Sequence, residues 1–195
     1  MIDYKDVLAE VLIPEAQLQK RIVELGAEIS HDYQGKDKLI LVCILRGGVV
    51  FMVDLARHIT APHAMDFMAI SSYGAGSRES TGIVRINMDL TTDIRGWHVL
   101  VIEDIIDSGY TLASVLDLLS TRKPASLQVC ALLDKEERRE VKVPIRYRGF
   151  SIPNKFVFGY GLDLDEYYRN LPFIGVVDIK KYQSQLPAIS DDFLP

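Results

Sequence analysis

Apolar residues fall along this chain in two regular patterns, broken by tracts that carry few of them. Residues 39–45 (LILVCIL) form a continuous apolar run, the signature of a strand covered on both faces. Another apolar run spans 64–70, residues 99–102 again read as a buried strand, a further strand is expected at 126–133, a short one at 155–160 and a last one at 173–178. Residues 83–88 alternate apolar and polar, which suits a half-exposed strand or hairpin arm. Helical spacing appears where Leu18, Ile22, Leu25 and Ile29 recur, so a helix is expected from Pro14 to about Tyr33, with Gly35 ending it. A second helix is expected over 49–59, after the turn Arg46-Gly47-Gly48. A third carries Leu112, Val115, Leu116 and Leu119 on one face. Residues 71–82 (SSYGAGSRESTG) have the composition of a mobile loop. The charged stretch 135–148 (KEERREVKVPIRYR) reads as a solvated loop and edge. Strand–helix–strand alternation predicts an α/β fold, a mainly parallel sheet with helices on both faces. In such sheets ligands bind beyond the carboxyl ends of the strands, here the loops after Leu45, Ile102, Leu133 and Tyr160.

Composition narrows the functional classes. The 195 residues hold 27 acidic against 22 basic side chains, a net charge of −5, with 48% hydrophobic residues. That balance weighs against a general nucleic-acid surface, though a local phosphate site remains compatible with it. Length and composition suit one globular domain. Cys43 and Cys130 lie inside apolar runs and read as small core hydrophobes, which gives no sign of an oxidising compartment. The charged start MIDYKDVLAE lacks the apolar stretch of a signal peptide, and no run approaches the length of a membrane span. A cytoplasmic protein is expected.

The densest chemistry lies in residues 99–111 (VLVIEDIIDSGYT). A buried strand delivers Glu103 and Asp104, then Asp107, and Ser108-Gly109-Tyr110-Thr111 opens a helix. Small residues at a helix start let backbone N–H groups approach a phosphate, and the helix dipole favours its charge. Paired carboxylates suit a ribose diol or a hydrated Mg²⁺. A plain helix cap by Asp107 or Ser108 is the competing reading. Neither GxxxxGK[ST] nor GxGxxG occurs here. The four histidines are scattered, with no metal-ligand spacing, and Trp97 reads as packing.

This stretch resembles the phosphoribosyl-pyrophosphate motif of the type I phosphoribosyltransferases, and EDIIDSGYTL is similar to the hypoxanthine-guanine members. The resemblance runs from about Leu39 to Asp178. It implies one domain over 1–195 with a core at 39–178, and a small hood formed by the N-terminal helix and the C-terminal segment. It also implies transfer of 5-phosphoribose from phosphoribosyl pyrophosphate to a 6-oxopurine, Mg²⁺ as cofactor, small-molecule partners, and a homodimer or homotetramer.

Residue by residue, the resemblance makes Leu45, Arg46, Gly47 and Gly48 a pyrophosphate loop, where the peptide bond before the basic residue can be cis. Many members carry Lys where this chain has Arg46. Ser72 and Tyr73 would begin a loop that closes over the site. Ser108, Gly109, Tyr110 and Thr111 would hold the 5′-phosphate, Glu103 and Asp104 the ribose hydroxyls or metal, and Asp163 a metal. Lys135 would bind the oxygen at purine C6, Phe156 would stack on the base, Val157 would meet its edge through the backbone, and Arg169 would contact pyrophosphate. Asp107 would be the general base or acid at purine N7. Without the resemblance, Gly47-Gly48 is a tight turn, Lys135 one solvated charge among many, Phe156 core and Asp163 a loop acid. A nucleotide sensor on the same fold, or an adenine or pyrimidine phosphoribosyltransferase, are the rival readings.

Overall fold

The computed structural model describes residues 2–72 and 84–185. Its elements are α1 (Tyr4–Val7), β1 (Leu8–Ile13), α2 (Glu15–Asp32), β2 (Leu39–Leu45), α3 (Gly48–Ala56), β3 (His63–Ser72), β4 (Val84–Met88), β5 (His98–Ile106), α4 (Tyr110–Thr121), β6 (Ser126–Asp134), β7 (Tyr147–Ser151), β8 (Val157–Phe158), β9 (Ile174–Val177) and α5 (Ile179–Gln185). A single 3-10 turn spans Glu136–Arg138.

Six strands form the main sheet in the order β4-β3-β2-β5-β6-β7. All neighbours are parallel except β4, which returns antiparallel beside β3. The register sets Cys43 of β2 between Phe67 of β3 and Ile102 of β5, and Ile102 opposite Cys130 of β6. Because side chains alternate along a strand, the continuous apolar runs feed two cores at once. Leu39, Leu41 and Cys43 pack with Leu18, Ile22, Leu25 and Ile29 of α2 and with Phe51, Met52 and Leu55 of α3. Ile40, Val42 and Ile44 pack on the other face with Leu112, Val115 and Leu119 of α4. Each such fully buried aliphatic side chain adds ~1.5–3 kcal/mol relative to exposure. Both cysteines are free and buried, and desolvation pushes the Cys43 thiol up to about 12.

A second sheet, β1-β9-β8, is antiparallel, with Ile13 opposite Ile174 and Val157 opposite Val176. Val7, Phe158, Leu164 and Val177 form its own small core. Tyr4 meets Phe158, Tyr168 and Phe173 with ring centroids 5.4–6.3 Å apart.

Several boundaries differ from the sequence-based expectations. Pro14 is not the first helical residue but the N-cap, in extended conformation at φ −68° and ψ 156°. Val7 of the short α1 lies in the core of the small sheet. α2 packs on α3 and β7 of the main body, and β1 supplies the N-terminal part of the small sheet. β5 continues through Ile106, so Glu103 and Asp104 lie in a strand and not in a loop. The stretch expected as a solvated loop and edge ends in an edge strand, β7. The expected strand at 155–160 shrinks to Val157–Phe158. The loop expected at 71–82, including Tyr73, falls from residue 73 onward outside the described residues.

Candidate active site

The sheet's topology selects one crevice. From β2 the chain moves outward to β3 by way of α3, then returns to β5 on β2's other side and continues through α4, which covers the opposite face. Such a switch point, beyond the carboxyl ends of two adjacent parallel strands, leaves a gap between diverging loops. Residues 45–48 and 103–109 emerge there.

After β2 the Leu45–Arg46 peptide is cis. Gly47 is required by its neighbour: a Cβ there would stand 1.6 Å from Asp104 Oδ2. Adjacent strand residues point to opposite faces, and the acid pair is divided accordingly. Asp104 lies against Gly47. Glu103, 7% exposed, lines a hollow of about 190 Å³ together with Ile105, Ile106, Asp107, Ser108, Gly109, Thr111 and Leu112. Burial, then the charge of Asp104, raises the Glu103 carboxyl well above its ordinary value. Burial lifts Asp104 to about 6, opposed by hydrogen bonds from the backbone and by the charge of Arg169, and reinforced by the charge of Asp163.

The loop into α4 turns on Gly109, whose φ of +93° lies in the left-handed region that favours glycine. The first turn of α4 carries no acidic residue, so its N–H groups and positive dipole end are uncompensated from within the helix. Tyr110 and Thr111 begin that turn. Asp107 meets two cations, Arg138 Nε at 2.9 Å and Lys135 Nζ at 3.5 Å. Lys135 is only 7% exposed, which overturns its reading as a solvated charge. Phe156 is 48% exposed and so is not core, whereas Val157 beside it is buried in β8.

A third group of residues comes from the turns after β8, where Tyr160, Asp165, Glu166 and Tyr168 all have positive φ. Arg169 Nη2 pairs with Asp163 Oδ1 at 3.0 Å and with Glu166 Oε2 at 3.3 Å, while Arg169 Nη1 donates to the Gly161 carbonyl at 2.9 Å. Arg46 Nη1 meets the same Glu166 Oε2 at 2.9 Å. The Glu166 carboxylate thus joins Arg46 to Arg169, and Arg169 in turn pairs with Asp163. Ser72 ends β3, its backbone opposite Val84, and Tyr73 lies outside the described residues.

Residues 14–165 match the family model described as a phosphoribosyl transferase domain. The chain belongs to the phosphoribosyltransferase family. It is 52% identical over 169 residues to a hypoxanthine phosphoribosyltransferase of Salmonella typhimurium, covering 86% of this chain and 94% of the relative. It is 50% identical over 186 residues to a hypoxanthine-guanine phosphoribosyltransferase of Mycobacterium avium, with 92% and 91% covered. A crystal structure of a hypoxanthine phosphoribosyltransferase from Staphylococcus aureus superposes with a TM-score of 0.88 at 46% identity, covering 92% of this chain and 96% of that one. The mainly parallel sheet flanked by helices is therefore the type I phosphoribosyltransferase fold. This phosphoribosyltransferase also brings Glu166 and Arg138 to the crevice and packs Arg139 behind the Gly109 turn, three residues that reading the sequence missed. Position was the available signal for the two arginines, because they follow β6 directly, where a parallel sheet puts its chemistry.

Proposed function

We propose that this protein transfers 5-phosphoribose from phosphoribosyl pyrophosphate to a 6-oxopurine, hypoxanthine or guanine, releasing pyrophosphate, as in purine salvage. The observation that carries this reading is the position of Asp107 between the α4 hollow and the buried Lys135, with Phe156 exposed nearby in sequence to the small sheet. The backbone N–H groups and hydroxyls of Ser108–Thr111 hold the 5′-phosphate, since small residues at an unopposed helix start suit an anion. Glu103 and Asp104 accept hydrogen bonds from the ribose hydroxyls and fix the anomeric carbon against the base. The 45–48 loop and Arg169 hold the pyrophosphate. Lys135 donates to the purine C6 oxygen and so rejects adenine, whose amino group would face it donor to donor. Phe156 stacks on the ring, a contact worth ~1–3 kcal/mol by analogy with base–aromatic stacking. The backbone of Val157 meets the base edge. Asp107 takes the proton of purine N7 as the glycosidic bond forms through an oxocarbenium-like state.

The donor set fits Mg²⁺. The charge of Asp104 raises the proton affinity of buried Glu103, Asp163 adds to the field at Asp104, and all three offer hard oxygen. Among the described residues no three His, Cys, Asp or Glu converge as a metal cage, which suits an ion held largely by water and substrate oxygens. Bound with pyrophosphate, Mg²⁺ would neutralise the leaving group, with Asp163, Glu103 and Asp104 as the residues that hold it. A homodimer or homotetramer belongs to this reading by family resemblance. A reducing, cytoplasmic setting agrees with two buried free cysteines. Among the described residues no helix is long and apolar enough to cross a membrane.

Initial rates of phosphoribosyl pyrophosphate consumption with hypoxanthine, guanine, xanthine and adenine test the proposal. A 6-oxopurine should exceed adenine by at least about tenfold, a gap of ~1.4 kcal/mol or more. Chelator should abolish the rate and Mg²⁺ restore it. Preference for adenine, or activity that survives chelation, overturns the respective assignment.

A further inference from the structure

The charged segment after β6 does not simply extend into solvent. Residues 138–141 lie back across the loop that precedes α4, as a strap. The N–H groups of Glu140 and Val141 both donate to the Ser108 carbonyl oxygen, at 2.9 and 3.0 Å. The Val141 carbonyl oxygen stands 2.7 Å from where a Cβ on Gly109 would sit. Below this contact Arg139 Nη2 is tied to Asp134 Oδ1, on a carboxylate only 1% exposed. Arg148 Nε approaches the other oxygen of Asp134 to 2.9 Å, without hydrogen-bond alignment. Arg139 Nη1 is buried and has no hydrogen-bond partner, and it lies 3.3 Å from the same Cβ position on Gly109.

A peptide unit is planar, and in its trans form the C=O and N–H point in opposite directions. The Ser108–Gly109 peptide is trans, as are all described peptides except Leu45–Arg46. With its C=O held against the strap, its N–H is turned away from the strap. The hollow beside Gly109 is lined by none of residues 135–141, so the donor faces the hollow's side. A buried guanidinium nitrogen without a partner is rare enough to need a reason. Here it lies directly behind the loop whose donors face an anion.

The geometry points to Arg139 as the positioning residue of the phosphate seat. Clamped on Asp134, it holds the strap against residues 107–109, so that the Gly109 N–H faces the incoming anion with positive charge behind it. The inference rests on the reading of residues 108–111 as the seat of a 5′-phosphate, and its test separates the two.

Ribose 5-phosphate and, separately, inorganic pyrophosphate are titrated calorimetrically into the full chain. Arg139→Met should weaken ribose 5-phosphate about tenfold, the scale of one charge-assisted hydrogen bond, and leave pyrophosphate within about twofold. Arg148→Met strips the same buried carboxylate of its other arginine without touching the loop. It should lower Tm yet keep ribose 5-phosphate affinity within about twofold. Equal weakening of both ligands by Arg139→Met, or equal effects of the two variants on ribose 5-phosphate, overturns the assignment. Should Arg139→Met fail to fold, Arg139→Lys takes its place, keeping the charge but losing the paired donors. Wild-type affinity in that variant overturns the assignment, and a loss of roughly threefold or more supports it. Wild-type protein that binds no ribose 5-phosphate removes the seat itself, a failure of the functional reading that shows before any variant is made.

Discussion

Asp107 illustrates how one side chain serves two neighbours. Its carboxylate is fixed by Arg138 on one oxygen and Lys135 on the other, so it is oriented before any substrate arrives. Replacing it with Asn keeps the shape and removes the proton acceptor. Asp107→Asn should therefore lower kcat by ~100-fold or more with KM changed only a few-fold, the pattern of an interaction made in the transition state. Steady-state kinetics at saturating phosphoribosyl pyrophosphate checks this, and an unchanged kcat excludes the role. Asp107 and Lys135 were legible in the sequence because each belongs to a local pattern, EDIIDSGYT and LLDK. Arg139 offered only its position after β6, and Glu166 offered nothing, because Arg46 lies far along the chain and no spacing encodes such a meeting.

Among the elements, the strands buried on both faces were the plainest. β2, β5 and β6 are near-continuous apolar runs, β3 is more open with Met65 exposed, and α2 shows its buried face at Leu18, Ile22, Leu25 and Ile29. The edge at β7 was read without its bounds, since Tyr147 and Phe150 are its only large apolar residues amid arginines. Its open side is managed by α2. Arg21 Nη2 donates to the Arg148 carbonyl at 2.8 Å and Nε reaches the Gly149 carbonyl at 3.3 Å, while Glu24 and Glu28 hold Nη1 at 3.0 and 2.9 Å. A guanidinium that occupies edge carbonyls blocks pairing with a second chain. Arg21→Ala should cost about 1–2 kcal/mol, less than its contacts summed because the pairs are partly exposed, as measured by denaturant unfolding. A midpoint within error of wild type would show that the edge does not depend on it.

For the whole molecule, the acid pair at the sheet's centre links stability to pH. Asp104 rises from 3.8 to about 6 on folding, and Glu103 moves the same way. The folded protein thus holds protons that the unfolded chain has lost. Stability is full below the unfolded values and falls as pH rises through about 6. Asp104→Asn should melt higher than wild type at pH ~7.5 and close to it at pH ~4, and parallel Tm curves over that range would refute the link. The small sheet was the least legible part. β1 (LAEVLI) pairs irregularly, with two register shifts, to a strand more than a hundred residues away, so nothing in its own neighbourhood marks it. That pairing also has a consequence in time. On a growing chain β1 emerges early and β9 last of the described strands, so the parallel sheet can assemble on the ribosome while β1 still has no partner. Residues 8–13 are then an open ribbon edge, the kind of segment that chaperones cover, until the strand carrying Ile174 is released.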